Sequence, residues 1–296
     1  MGTYKGTRTR TFKIKPKALV FNMVTLSADE ATYTGSAIPR PTVTVKDGSD
    51  LALNKDYVVT WPDDFTSAGN KIIKVTGKGN YDNPTVTVDM AFEIKPAAID
   101  DSWLNLNTTS ATYDPASTVT PTLTVGKVVD GVSYAPEASD YTLSWDKDDD
   151  QAEGTFKNAG AYTATVTGNG NYTGNGTITL NILPKTLVGD WITLTPASAD
   201  YTGAEISEKP TFTVKDGDHP LTSEGDKPDF TYSWQEGEYK DAGSYKLTLT
   251  GQNNYQSEAT ATFTIAKKKI TRADISIKTE ADENKQVEEN TTGEVY

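Results

Sequence analysis

A threefold recurrence constrains this chain more than any other feature of its sequence. Ala68 opens AGNKIIKVTGKGNYDN, Ala159 opens AGAYTATVTGNGNYTGNG and Ala242 opens AGSYKLTLTGQNNYQS, with thirteen residues from Ala to Tyr each time. A register kept over that length reports one structural unit built three times. Four more landmarks hold the same order around it. ATYTG, ATYDP and ADYTG carry Tyr33, Tyr113 and Tyr201, and PTVTV, PTLTV and PTFTV begin at Pro41, Pro121 and Pro210. DYVVTW, DYTLSW and DFTYSW end in Trp61, Trp145 and Trp234, and each unit closes on an apolar pair: Phe92 with Ile94, Leu180 with Ile182, Phe263 with Ile265.

These segments alternate with period two, which sends every other side chain to one face of a sheet. Tyr57, Val59 and Trp61 share a face, as do Tyr141, Leu143 and Trp145, while Thr142 and Ser144 point the other way. Tyr162, Ala164 and Val166, and in the third unit Tyr245, Leu247 and Leu249, supply the apolar face of the recurring segment. The Asp-Gly pairs at Asp47, Asp130 and Asp216 read as hairpin turns, and the GNGNY stretch as a tight return that needs the positive φ tolerated by Gly and Asn. No segment has helical periodicity of useful length. Strands with one wet face and one apolar face predict an all-β chain of small sandwiches.

The segments NAGAY and DAGSY resemble the corner before the sixth strand of immunoglobulin-like domains, where a Tyr hydroxyl ties back to the backbone. Where an antibody domain has cysteine two residues later, this chain has Ala164 and Leu247. The first unit departs from the pattern, with Lys71 at the Tyr position. The combination of YTG, PTVTVKDG and AGxYxxxVTGxGNY is similar to the bacterial immunoglobulin-like tandem repeats of the MBG or YDG type, from Thr3 to about Ile277. That resemblance implies tandem immunoglobulin-like β-sandwiches arranged as an elongated rod, of the kind found in surface-attached and secreted bacterial proteins as stalks and adhesin segments. It implies no shared active site.

The expected domains are residues 1–16 as the closing strand of a truncated preceding repeat, repeats at 17–96, 97–184 and 185–266, and the start of a further repeat with an acidic tail at 267–296. Tyr4, Phe12 and Ile14 match Tyr172, Leu180 and Ile182 step for step, so the first segment is expected to dock on the first repeat. Ile275 and Ile277 fall in the register of Leu104 and Leu106.

Chemistry is sparse. A net charge of −13 disfavours binding to a phosphate backbone. No apolar run approaches the length of a membrane span, so no membrane insertion is expected of this sequence. Absence of cysteine removes disulfides, thiolate catalysis and Cys-ligated zinc, and the single His219 removes His-based triads and multi-histidine metal sites. The acidic run at 146–154 fails the calcium-loop pattern, with Gln151 where Gly is needed and Lys157 where the bidentate Glu is needed. A Lys-Asn isopeptide bond lacks an evident acidic catalyst. Trp61, Trp145 and Trp234 are expected in the core, Trp103 and Trp191 with Met23 over the joints to preceding repeats, and Tyr81, Tyr172 and Tyr255 in hairpin packing. The expectation is therefore a monomer with no catalytic residues, no cofactor and no metal. Its partners are neighbouring repeats of a larger protein, or a host protein or glycan at the bacterial cell surface or in secreted form.

Overall fold

The recurring Ala-Gly segment forms the longest regular strand of each repeat: Gly69–Gly77, Gly160–Gly168 and Gly243–Gly251. The computed structural model describes residues 1–2, 5–83, 85–146 and 154–271, which fall into two compact units, Met1–Pro184 and Lys185–Tyr296. The first unit holds two sandwiches and the second holds one.

Each sandwich has one larger sheet built around that long strand. On one side lies the closing strand, Thr87–Lys95, Tyr172–Leu183 or Glu258–Ala266, and on the other the Trp-bearing strand, Tyr57–Thr60, Tyr141–Asp146 or Phe230–Trp234, both antiparallel to it. A short strand from the Tyr-Thr-Gly landmark, Glu30–Thr32, Ser110–Thr112 or Ser198–Asp200, adds parallel to the closing strand. The opposing sheet is small: Val24–Leu26 pairs with Val43–Asp47, Leu104–Leu106 with Leu123–Val125, and Ile192–Thr195 with Thr211–Asp216. A parallel first strand on an otherwise antiparallel sheet, facing a second sheet, is an immunoglobulin-like β-sandwich. The Asp-Gly turns sit as their chemistry requires. Asp130 and Gly131 both take positive φ, 50° and 79°, between paired Val129 and Val132.

The cores follow the alternation on strands that have a neighbour on both sides. Ile73, Val75, Ala164, Val166, Leu247 and Leu249 are fully buried, as are the closing pairs Phe92–Ile94, Leu180–Ile182 and Phe263–Ile265. On the Trp-bearing strand the pattern fails in the middle. Leu143, expected on the core face, is 40% exposed, and its counterpart Tyr232 is 51% exposed. Among the described residues this strand is the edge of its sheet, with one neighbour, and the opposing small sheet does not cover it fully. Trp61, Trp145 and Trp234 are half-buried; Trp145 packs on the buried Phe156 at 4.8 Å between ring centroids.

A second departure lies at the start of the chain. Residues 5–16 form no strand, and Phe12 and Ile14 are each 82% exposed. The docking expected of them on the first repeat is not formed: the closing-strand position there is already occupied by Thr87–Lys95. Tyr4, Ile275 and Ile277 lie outside the described residues.

Removing buried volume at Leu180 should therefore destabilise the second repeat by about 2–5 kcal/mol in Leu180→Ala. Leu143→Ala, at the half-open edge, should cost about 1 kcal/mol or less. Urea unfolding of the two variants, followed by repeat-resolved hydrogen exchange, checks the contrast; equal losses would mean that the edge is as well packed as the sheet centre.

Candidate functional site

The GNY turn is where each repeat receives the chain that enters it. The backbone N–H of Lys17 donates to the carbonyl of Asn80 at 2.9 Å, that of Ala97 to Asn171 at 3.0 Å, and that of Lys185 to Asn254 at 2.9 Å. In the second and third repeats the entering segment continues as a parallel strand against the turn: Ala97 to Ile99 along Tyr172 to Gly174, and Lys185 and Thr186 along Tyr255 and Gln256. The turn needs residues that accept positive φ, and Gly79 (58°), Gly170 (64°) and Asn253 (52°) occupy the same step. It also folds back tightly. A Cβ on Gly168 would stand 2.7 Å from the Thr173 nitrogen and one on Gly251 2.6 Å from the Gln256 nitrogen, while on Gly77 it would clash with the Tyr81 carbonyl.

Beneath the turn the tyrosine anchors the entry differently in different repeats. In the first, Lys17 Nζ bonds both carboxylate oxygens of Asp47 at 2.7 and 2.8 Å, and the Tyr81 hydroxyl donates to the same carboxylate at 2.9 Å. The third repeats this trio with Lys185, Asp216 and Tyr255, at 2.7, 2.7 and 3.2 Å. The hydrogen bond from Lys17, and then that from Tyr81, hold the Asp47 carboxyl below its ordinary value, and the Asp47 bond raises Lys17. Both shifts favour the charged pair.

The second repeat has Ala97 in place of the lysine and Lys127 in place of the aspartate. Its turn tyrosine, Tyr172, is buried and is packed edge-to-face by Tyr33 of the first repeat at 5.4 Å and by Trp103 at 5.9 Å. Burial pushes the Tyr172 hydroxyl up to about 12. A second contact crosses the same joint, where the Ala68 N–H donates to the Asn171 side-chain oxygen at 2.8 Å. Both landmarks of the first repeat's end, the YTG tyrosine and the Ala-Gly corner, thus touch the Asn-Tyr turn of the next. Trp103 does not cover the joint as expected. It is buried in its own repeat with Ala97, Ile99, Leu104 and Tyr172, because the entering strand docks on the turn and carries the tryptophan inward. Met23 packs against the first core, and Trp191 meets Tyr255 at 6.1 Å with Lys185 over its ring.

The corners also form. Tyr162 donates to the Asn158 carbonyl and Tyr245 to that of Asp241, both at 2.8 Å. The first repeat substitutes an ion pair: Lys71 Nζ reaches Asp64 at 2.7 Å, and the N–H groups of Thr66 and Ser67 donate to the other oxygen of that carboxylate.

Grooves open beside the edge strand of the second repeat, at Leu123, Leu143 and Trp145, and beside that of the third. In the third repeat a groove of about 470 Å³ opens beside the edge strand, with Phe212 and Phe230 beneath and the half-exposed Tyr232 meeting Phe212 at 4.8 Å. Its rim comes from the divergent loop at 220–224. The corresponding position in the first repeat is closed by Val43 and Val59 packed on the core. That loop, within GDHPLTSEGDKPD, is longer than GSDLALNKD of the first repeat, and its bordering an aromatic groove is not legible in the sequence. Among the described residues no three carboxylate or imidazole side chains gather as a metal site, and His219 is exposed in a hairpin. Residues 147–153 of the acidic run lie outside the described residues.

Residues 189–279 match the family model of the MBG domain. Over that stretch the chain is similar to the MBG domain. No curated protein matches the chain. Among solved structures, the chain is similar to a protocadherin, PcdhgB3 EC1-4, at 10% identity and a TM-score of 0.20, covering 83% of this chain and 76% of that one. It is also similar to SGBP-B of the Bacteroides ovatus mixed-linkage glucan utilization locus, in complex with a mixed-linkage heptasaccharide. That match has 13% identity and a TM-score of 0.15, covering 88% of this chain and 72% of that one. At such scores neither likeness bears on function. The groove beside Tyr232 falls within the matched residues.

The ion-paired corner gives the first repeat an acid sensitivity that the tyrosine corners lack. Lys71, then the amides of Ser67 and Thr66, hold the Asp64 carboxyl far below the ordinary range. A carboxylate whose folded pKa is depressed stabilises fully above its unfolded value of about 4 and loses that contribution as pH falls through the folded value. Asp64→Asn should lower the stability of the first repeat at neutral pH and flatten its decline below about pH 4. Repeat-resolved hydrogen exchange across the acid range measures this; Asp47 declines in the same direction and remains as background.

Proposed function

We propose that this chain is a non-catalytic stalk or spacer segment of a bacterial cell-surface or secreted protein, projecting another domain away from the surface. The observation that carries this reading is the joint between the first two repeats. A stalk must transmit position, so its linkers have to be short and its successive domains must not rotate freely. Here the linker between closing strand and next repeat is the single Pro96, flanked by strand on both sides. The joint is sealed by Tyr33 on Tyr172 and by Ala68 on Asn171. Residues spent on joints and turns, with no gathered acid-base or metal constellation among the described residues, suit a mechanical role.

A second reading, that the chain is an adhesin-type module recognising a host protein or glycan, draws on the aromatic groove of the third repeat and its divergent loop. Loops on a rigid scaffold are where recognition is usually placed.

The stalk reading predicts a fixed orientation between the first two repeats. Cysteine is absent from the chain, so spin labels at Lys46→Cys and Thr142→Cys report a single pair. Their distance distribution should be narrow, and broader when Tyr33→Ala and Asn171→Ala are added. A distribution as broad without those changes as with them would refute a rigid stalk, and saturable binding on a glycan array or to a host protein would favour the adhesin instead.

A further inference from the structure

We propose that each repeat is built to bear tension along the chain, because the segment that enters it holds the closing strand in shear near both of that strand's ends. This deepens the stalk reading and rests on it for the source of the load, since a segment that projects another domain is pulled from its two ends.

The direction of pairing carries the inference. In the second repeat Ala97–Ile99 runs parallel to Tyr172–Gly174, at the start of the closing strand, and Ser110–Thr112 runs parallel to Asn181–Leu183, at its end. The third repeat sets Lys185 and Thr186 along Tyr255 and Gln256, and Ser198–Asp200 along Thr264–Ala266. In the first, the Lys17 N–H meets the Asn80 carbonyl ahead of the closing strand, and Glu30–Thr32 lies along Glu93–Lys95. The chain thus enters each repeat beside the start of the closing strand and leaves from that strand's end. For the 12 residues of Tyr172–Leu183, entry and exit stand about 35–40 Å apart along one strand axis.

Tension between entry and exit therefore slides the closing strand past its partners. Hydrogen bonds between the strands lie across that direction, so the bonds of a pair share the load and fail together. A strand drawn off sideways loses its bonds one at a time, each under the whole load. The pair common to all three repeats is the inner one. Its flanking bonds run from the Glu93 N–H to the Asp29 carbonyl and from Tyr33 to Lys95, both at 2.8 Å, in the first repeat. The second has Asn181 to Thr109 at 2.9 Å and Tyr113 to Leu183 at 2.8 Å, and the third Thr264 to Ala197 at 3.3 Å and Tyr201 to Ala266 at 2.9 Å. Between them stands the same small residue each time, Ala31, Ala111 or Ala199, opposite Ile94, Ile182 or Ile265.

Side chains reinforce the entry. Lys17 on Asp47 and Lys185 on Asp216 tie the entering residue to a strand of the opposing sheet. The second repeat lacks that lysine, and there the Asp101 carboxylate of the entering segment accepts the Thr177 N–H of the closing strand at 2.7 Å.

Single-molecule pulling of the full chain tests this, with two attachment geometries. Cysteine is absent from the chain, so a pair of introduced cysteines defines each geometry. Held at Lys5→Cys and Lys269→Cys, the chain should unfold in three events, each releasing roughly 250 Å, from about 80 residues at about 3.5 Å less the folded span. Held at Asn70→Cys and Glu93→Cys, which face each other on adjacent strands, the first repeat should be peeled apart at a force several-fold below the weakest of those three events. Ala31→Pro removes an N–H that the inner pair uses, and should weaken one of the three end-to-end events. Val75→Ala removes core volume and keeps the pair; it should lower the melting temperature of the first repeat with a smaller loss of force than Ala31→Pro, because forced unfolding follows the barrier and not the equilibrium stability. Equal forces in the two geometries would overturn the inference, and so would three unchanged events in Ala31→Pro or a larger loss of force in Val75→Ala. Weak end-to-end events in a chain whose spin-label distances are narrow would sink this inference and leave the stalk reading standing.

Discussion

Everything else in this chain hangs on one hydrogen bond made three times, from the N–H of the residue after the linker proline to the carbonyl of the asparagine in the GNY turn. A linker left in water would let each sandwich swing on the last. Bonded into the next domain's own turn, it becomes part of that domain's fold, and the first residue of a repeat is fixed by one of its last hairpins. This is why the turn recurs with so little change. Glycine before it lets the backbone close, a residue at positive φ turns it, asparagine presents its carbonyl, and tyrosine fills the space below.

The same geometry is secured by different chemistry. The first and third repeats use a lysine–aspartate–tyrosine trio, whose charges are stabilised by mutual hydrogen bonding. The second uses packing, with Tyr172 enclosed by aromatic rings from both sides of the joint. The corner shows the same substitution, where Lys71 and Asp64 do with an ion pair what Tyr162 and Tyr245 do with a hydroxyl. Each exchange preserves a constraint on the backbone and changes its response to pH and salt.

The repeats, the all-β class and the core faces of the central strands were legible in the sequence, because period two is unambiguous where a strand is covered on one side along its whole length. Leu143 was misread because an edge strand facing a short opposing sheet keeps the alternation without the burial. Trp103 was placed on the joint by its position after the linker, yet its direction depends on how the linker docks, which spacing does not encode. The anchoring trio did leave a signal: where the second repeat lacks the lysine of PKAL and PKTL it also lacks the aspartate of VKDG, having Ala97 and Lys127. Asp64, seven residues before Lys71, was a comparable clue to the ion-paired corner. The groove beside Tyr232 left little, since it depends on how Phe212, Tyr232 and the loop at 220–224 pack, which spacing does not encode.

Native-state hydrogen exchange at the amides of Lys17, Ala97 and Lys185 reads the entry bond in all three repeats. If the linker is part of the fold it enters, these amides should exchange as slowly as those in the middle of the closing strands. Exchange as fast as at residues 5–15, which are exposed and unpaired, would mean that the linkers are free and that the turn recurs for some reason other than the entry it secures.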